Sequence, residues 1–221
     1  MIRAIVATVA VFILLGGCLL GAAGTLSWPM AWIVLVLYLA SKVAALAFAN
    51  TDMIKERVAL GKGDDQVDKV LAGLGYLGIF PCLFLVAGLD AVRFGPAIKI
   101  PNAISLMALV IFAIGYVFSS WAILCNPFFS TFVRIQDDRG HSVISSGPYA
   151  LVRHPGYAGV LLAHLALPFA LGSIWALLPS IVGIAFFVLR TSREDRTLRD
   201  QLDGYREYQS RVRWRLLPLV W

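Results

Sequence analysis

Arg153-His154-Pro155-Gly156-Tyr157 sets a guanidinium, an imidazole and a phenol around a proline. A proline there suits the first turn of a helix. The free backbone N–H groups of such a helix start can meet an anionic group. Further on, Arg190, Glu194 and Leu198 fall at i, i+4 and i+8, so they share one helix face. Read singly, these residues have plain explanations as well. Arg153 suits an interfacial anchor at a membrane boundary, and Arg190 with Glu194 suits a simple ion pair. His164 lies seven residues after Tyr157, two turns on and on the same face. A polar residue within an apolar helix is often functional, and a histidine there is also often bonded to a neighbouring helix.

Other chemistries have little support. Cys18, Cys82 and Cys125 each lie in or at the end of an apolar run and form no CxxC pair, so they read as small hydrophobes. The scattered cysteines and histidines show no metal-ligand spacing. Gly61-Lys62-Gly63-Asp64-Asp65 is a flexible loop that lacks the rest of a phosphate-binding P-loop.

The elements that must position these residues are membrane helices. Of 221 residues, 59% are hydrophobic and 14% charged, and the mean hydropathy is +0.79. A soluble domain has roughly a quarter charged residues, so this chain has too little polar surface to face water all round. Runs of about twenty apolar residues mark spans: Ala4–Gly24, Trp28–Ala49, Val70–Leu89 and Asn102–Cys125. The first is too long for the apolar region of a signal peptide. A longer stretch, Tyr157–Leu189, is interrupted at Leu171-Gly172-Ser173 and reads as a tight helical hairpin. The expected fold class is therefore all-α, a polytopic transmembrane helical bundle of five to six spans with a cytoplasmic C-terminal helical segment. Residues 1–125 supply the N-terminal transmembrane helices. Residues 126–221 supply a core made of a long loop, the hairpin and the C-terminal segment.

The formal net charge is +6. With the N-terminus in the cytoplasm, sixteen Lys and Arg fall on the inner side (Arg3, Lys55, Arg57, Lys62, Lys69, Arg134, Arg139, Arg153 and eight from Arg190 to Arg215). Only Arg93 and Lys99 fall outside, and Lys42 lies within a span and is expected to snorkel inward. This asymmetry predicts a multi-pass inner or plasma membrane protein with both termini cytoplasmic. The basic residues point to an anionic membrane surface rather than to nucleic acid. On this topology residues 126–157 and 190–221 share the inner face, and the hairpin returns the chain to its starting side. The two polar segments can then close one pocket.

These pieces resemble a known family. Gly147-Pro148-Tyr149 followed by Val152-Arg153-His154-Pro155-Gly156-Tyr157 is similar to the GxYxxxRHPxY signature of isoprenylcysteine carboxyl methyltransferases. Arg190-xxx-Glu194-Asp195, Gly204-Tyr205-Arg206-Glu207-Tyr208 and Leu217-Pro218 follow in the order of that family's RxxxEE…GxxYxxY…LP tail. The resemblance implies an S-adenosyl-L-methionine pocket facing the cytoplasm, with a lipid-side entrance for a lipophilic, membrane-associated acceptor. It implies cofactor contacts from Gln136, His141, Ser142, Val143, Ile144, Tyr149, His154, Pro155, Gly156, Tyr157 and Glu194. Arg190 is expected to position the acceptor, and Arg190 and Arg153 are the candidate catalytic residues. One departure is Asp195, where the family usually carries a second Glu.

The expected chemistry is methyl transfer to a carboxylate. A carboxylic acid is already ionised near neutral pH, so the reaction needs alignment and a dry site rather than a base. A guanidinium suits the acceptor because it grips a carboxylate through two parallel bonds. The alternatives are methylation of a small thiol or a phospholipid amine. RHPxY also recurs in phospholipid N-methyltransferases and membrane sterol reductases, so an NADPH-dependent reductase is a further alternative.

Overall fold

The computed structural model describes residues 2–49, 53, 54, 56 and 65–221. Lys55, Arg57, Lys62 and the Gly61–Asp64 part of the glycine-rich loop lie outside the described residues. Among the described residues, the helices whose bounds are given follow in order: α1 (Ile2–Gly21), α2 (Pro29–Phe48), α3 (Gln66–Arg93), α4 (Asn102–Cys125), α5 (Pro155–Ala170), α6 (Leu177–Gln201) and α7 (Tyr205–Arg211). No strand occurs among the described residues. Helices α1 to α4 are long and apolar enough to cross a membrane, as a multi-pass membrane protein requires. Helix α5 has 16 residues, about 24 Å at 1.5 Å per residue, and is shorter than a typical span.

Helix ends follow local chemistry. Pro29 and Pro155 open α2 and α5 at the first turn, where the missing N–H costs nothing. Asp65 caps α3, its Oδ1 accepting from the N–H groups of Val67 (2.9 Å) and Asp68 (3.2 Å). This cap starts α3 a turn earlier than the apolar pattern predicts, and a widened turn at Leu89–Arg93 carries it further at the other end. A second widened turn, Gly78–Cys82, accommodates Pro81 inside α3.

The break at Leu171-Gly172-Ser173 is the hairpin turn the sequence predicts, with Gly172 at φ 75°. Asp90 near the end of α3 pins it. Its Oδ2 accepts from Ser173 Oγ (2.7 Å) and from the N–H of Trp175 (3.4 Å). Helix α6 then runs back beside α3 to the end where α5 began. At that end, the long segment between α4 and α5 holds only two short 3₁₀ turns, Asp137–Arg139 and Gly147–Ala150.

The core is aromatic and aliphatic, with Tyr38, Phe80, Leu83, Phe112 and Tyr116 packed between helices. His164 is fully buried there. Its Nδ1 lies 2.8 Å from the Val160 carbonyl and its Nε2 lies 3.5 Å from the Tyr116 hydroxyl. It thus bonds its own helix and a neighbouring one, away from the polar end. Helices α4 and α5 meet backbone to backbone at Gly115 and Gly159. A Cβ on Gly115 would lie 2.5 Å from the Gly159 carbonyl, and one on Gly159 would press on the Gly115 carbonyl and the Ser119 backbone. Replacing Gly159 with Leu should therefore push the helices apart at a cost of about 1–3 kcal/mol or more. The expected outcome is a lower melting temperature in detergent, and an unchanged melting curve would contradict this packing.

Candidate functional site

The site starts from one buried carboxylate. Asp195, on the second half of α6, is 1% exposed. Arg153 grips it through two bonds, Nε to Oδ1 at 2.7 Å and Nη2 to Oδ2 at 2.9 Å. Arg215 Nε (2.9 Å) and Gln209 Nε2 (3.1 Å) donate to Oδ2, while Tyr205 OH (3.0 Å) and His154 Nε2 (3.3 Å) donate to Oδ1. The remaining arm of Arg153 donates to the carbonyls of Val212 (2.9 Å) and Arg213 (2.7 Å). The backbone continues the knot, with the N–H groups of Arg153 and His154 donating to the carbonyls of Trp214 and Arg215 at 2.9 Å each. Asp195 thereby ties the RHP turn, α6, α7 and the final segment into one unit.

Beside this knot a cleft opens between residues 126–144, the start of α5, α6 and α7. Glu194 faces it from α6 and accepts from the Tyr157 hydroxyl at 2.7 Å. The His154 ring lies parallel to Tyr157, centroids 6.0 Å apart. The opposite wall is set by side-chain anchors. Gln136 donates from Nε2 to the Phe128 carbonyl (2.6 Å) and accepts from Arg139. Arg134 bonds Glu56 (2.7 Å) and Asp138 (2.9 Å). Tyr149 accepts from Asn126 Nδ2 (3.1 Å), and its carbonyl accepts from the Tyr208 hydroxyl (2.7 Å). The cavity is about 80 Å³, smaller than the roughly 300–1,000 Å³ of sites that hold drug-sized ligands.

Of the cofactor positions implied by the resemblance, His141, Ser142, Val143, Ile144, Tyr149, His154, Gly156, Tyr157 and Glu194 line this cleft. Gln136 is fully buried behind it and shapes the wall, and Pro155 starts α5 without facing the cavity. Gly156 permits a close approach, since a Cβ there would lie 2.7 Å from the Phe129 ring. Arg153 borders the cleft with its guanidinium committed to Asp195.

Arg190 stands behind Tyr157, its guanidinium carbon 5.4 Å from that ring centroid, and does not line the cleft. Its fork is filled. Nε and Nη2 donate to the two Asp68 oxygens at 2.7 and 3.2 Å, and Nη2 also donates to the Thr131 carbonyl at 2.6 Å. Asp68 Oδ2 accepts from the Val133 N–H at 3.1 Å as well. The pair thus anchors the cleft wall to α3 and α6. Arg190 and Glu194 share a face, yet each bonds another element rather than the other. Asp68 is a residue that sequence reading missed. Asn126, Phe128, Phe129 and Arg134 also line the cleft, and the sequence marks them only through the length of the connecting segment.

The electrostatics are paired throughout. Burial alone would raise the Asp195 pKa, but hydrogen bonds from His154, Arg153 and Arg215 outweigh it and hold the carboxyl well below its usual range. His141 is pushed down by burial, with Arg134 and Arg139 adding to the effect against Asp137. A neutral His141 accepts at Nδ1 from the Gln136 N–H at 3.2 Å, a bond that protonation of that nitrogen removes.

Two outcomes follow from this geometry. Replacing Asp195 with Ala leaves Arg153 buried without its carboxylate, at a cost of about 3–5 kcal/mol. The 212–221 segment should then become a fast tryptic site at Arg213 and Arg215, whereas wild-type cleavage rates in the variant would contradict the knot. A histidine whose folded pKa is depressed contributes stability that is lost as pH falls through its unfolded value, about 6.5. Amide exchange at residues 136–144, corrected for intrinsic rate, should therefore rise between about pH 7.5 and about pH 5.5. Asp195 stays ionised across that range, so the 212–221 segment should not follow.

Part of the chain is similar to known proteins. Residues 106–200 match the family model described as the isoprenylcysteine carboxyl methyltransferase (ICMT) family. Protein-S-isoprenylcysteine O-methyltransferase of Schizosaccharomyces pombe is 32% identical over 99 residues, 44% of this chain and 42% of that protein. The match thus spans less than half the length of that curated relative. The similarity to the isoprenylcysteine carboxyl methyltransferase family covers residues 106–200, which carry most of α4, the cleft wall, α5 and α6 to Asp200.

Proposed function

We propose that this is an integral membrane methyltransferase that binds S-adenosyl-L-methionine in the cleft and methylates the carboxylate of a lipophilic, membrane-associated acceptor. The observation that carries the reading is the Tyr157–Glu194 pair, 2.7 Å apart on two arms of the hairpin and facing one cavity with the 126–144 wall. When bound, S-adenosyl-L-methionine supplies a methyl group whose bond to sulfur breaks with its electrons left on sulfur, while an acceptor oxygen forms the new bond.

The residues fit a cationic ligand. Glu194 presents a carboxylate to the cleft, whereas the neighbouring guanidiniums are matched by Glu56 and Asp138 at Arg134 and by Asp195 at Arg153. A sulfonium or an ammonium finds its complement there. The Tyr157 hydroxyl holds Glu194 in place by donating to it, which fixes where that negative charge sits. His141 and the backbone around Ser142–Ile144 offer polar edges for a nucleoside, and Phe128 and Tyr149 offer apolar walls. No lining residue has to act as a base, because a carboxylate acceptor arrives ionised.

Arg190 is read as a positioning residue, with an added condition. Asp68 already occupies the guanidinium fork, so an acceptor carboxylate reaches Arg190 only by exchange with Asp68. Otherwise Arg190 acts through Tyr157 and the Thr131–Val133 wall. The end of the bundle that carries the cleft faces the cytoplasm on the positive-inside asymmetry.

Titration calorimetry with S-adenosylhomocysteine tests the reading. The wild-type protein should bind, and replacing Glu194 with Gln should weaken binding about tenfold or more, the scale of a charge-assisted bond. Methyl-labelled S-adenosylmethionine incubated with protein and native lipid extract should yield a base-labile ester. Binding of NADPH in place of S-adenosylhomocysteine would overturn the proposal in favour of a reductase. A label stable to base, on nitrogen or sulfur, would overturn the carboxylate.

A further inference from the structure

The end of the bundle opposite the cleft carries a polar groove that is independent of the methyl-transfer reading. At this end α2 and α4 begin, α3 and α5 finish, and the hairpin turns. The groove between them measures about 360 Å³. Lys99, Asn102 and Ser105 give it polar groups, and Trp28, Met30 and Leu171 give it apolar walls.

Three independent features of this groove suit an anion. The first is the start of α4, a helix of 24 residues that follows Pro101 without a side-chain cap. The Pro101 carbonyl accepts from the N–H groups of Ile104 (2.9 Å) and Ser105 (3.1 Å). Those of Asn102 and Ala103 come before the first intrahelical bond and are left over. Spare N–H groups and the helix dipole both favour negative charge at that point. The second feature is Ser105, which is 8% exposed and lines the groove. Its hydroxyl makes no hydrogen bond among the described residues, yet no fully enclosed side-chain N or O there lacks a partner. The Ser105 hydroxyl is therefore open to the groove, as a spare donor in a buried place. The third is Lys99, an exposed cation without an ion pair among the described residues. No carboxylate lines the groove. Asp90, the chain neighbour of the lining residue Ala91, has both oxygens engaged, one by the Ala97 N–H and one by Ser173 and Trp175.

Beside the groove, on α4 and α5, an apolar channel of about 320 Å³ runs inward. Ala108 and Ala166 are buried at its floor, while Met107 and Leu165 stand exposed at its rims. Ile104 and Phe169, at the head of the channel, are chain neighbours of Ser105 and Ala170 in the groove. From Asn102 to Ile111, the inner limit of the channel, α4 rises about 14 Å, roughly half of a 30 Å hydrocarbon core.

We propose that the groove and channel bind one anionic phospholipid. Its phosphate is held by Lys99, the Ser105 hydroxyl and the first N–H groups of α4, and one acyl chain lies over Ala108 and Ala166. A phosphate on a soluble molecule shares the first set of contacts and leaves the channel unused. The level of the groove also favours the lipid, because the starts of α2 and α4 mark the boundary between headgroups and chains, where Trp28 is at home.

Native mass spectrometry of the full-length protein, loaded from an equimolar mixture of phosphatidylglycerol and phosphatidylcholine, tests the site. The wild type should retain one phosphatidylglycerol with a preference of about fivefold or more, the scale of one cation beside anionic lipid. Lys99→Gln should lose that preference, and Ser105→Ala should lower it about twofold or more. Lys99→Arg, which keeps the charge, and Arg211→Gln, an exposed cation at the cleft end, should keep it. Equal retention of the two lipids by the wild type would overturn the proposal. So would a preference that survives Lys99→Gln or vanishes in Arg211→Gln. Full preference in Ser105→Ala would overturn the buried part of the site in favour of a surface lysine alone. Loss of the preference in Lys99→Arg would overturn the charge-based account. Displacement of the bound lipid by glycerol 3-phosphate at equal concentration would overturn the lipid in favour of a soluble phosphoester.

Discussion

The polar end of this molecule depends on the ionised state of Asp195. Taking a carboxylate out of water is costly unless donors replace the lost hydration. Here they come from Arg153, His154, Tyr205, Gln209 and Arg215, spread over the turn before α5, helix α7 and the final segment. These elements also bury apolar side chains, among them Tyr205, Tyr208, Val212 and Leu216. Each in addition brings a donor to one point, so removing the acceptor would loosen them together. The neighbouring Glu194 can then face the cavity, because the burden of organising the region has been taken by the residue after it. Two adjacent acids on α6 thus divide the work, one satisfied from all sides and one presented to the cleft.

The wall opposite is organised on the same principle with a second buried pair. Asp68 at the start of α3 and Arg190 on α6 match each other and spend their remaining capacity on the backbone of Thr131 and Val133. A fully matched pair of this kind confers position more than net stability. It fixes the place of the connecting segment, which lacks regular structure, and it keeps a guanidinium close behind the Tyr157 ring.

Much of this was legible beforehand, for physical reasons. Apolar runs of span length leave little choice but a helical bundle, and Asn102–Cys125 is bounded as its flanking Pro101 and Asn126-Pro127 predict. Leu171-Gly172-Ser173 marks the hairpin turn because glycine alone adopts the positive φ there at no cost. The meeting of Tyr157 and Glu194 follows from that turn, since a hairpin must return to its start. Asp68 was not legible. It sits 122 positions from Arg190, and locally it reads as an ordinary acid in the first turn of a helix. The Arg190–Glu194 ion pair that the spacing allows illustrates the same limit, because spacing along a helix says which side chains share a face and not which prefer a partner on another helix. Asp195, a departure from the family's usual second Glu, gains its meaning only from donors that arrive from elements later in the chain.

The glycine contact between α4 and α5 bears on how the enclosure can breathe. Two backbones that touch without intervening side chains cannot be parted by a rotamer change, so the lipid-embedded frame behaves as a rigid rim around the cavity. Compliance is left to the water-facing strip from Asn126 to Ile144, which is tethered at discrete points such as Val133, Arg134 and Gln136. Opening of the cleft is then limited by the breaking of a few polar tethers rather than by rearrangement of the bundle. The opening rate would respond to salt and to proton activity, while remaining comparatively indifferent to the thickness or fluidity of the surrounding bilayer.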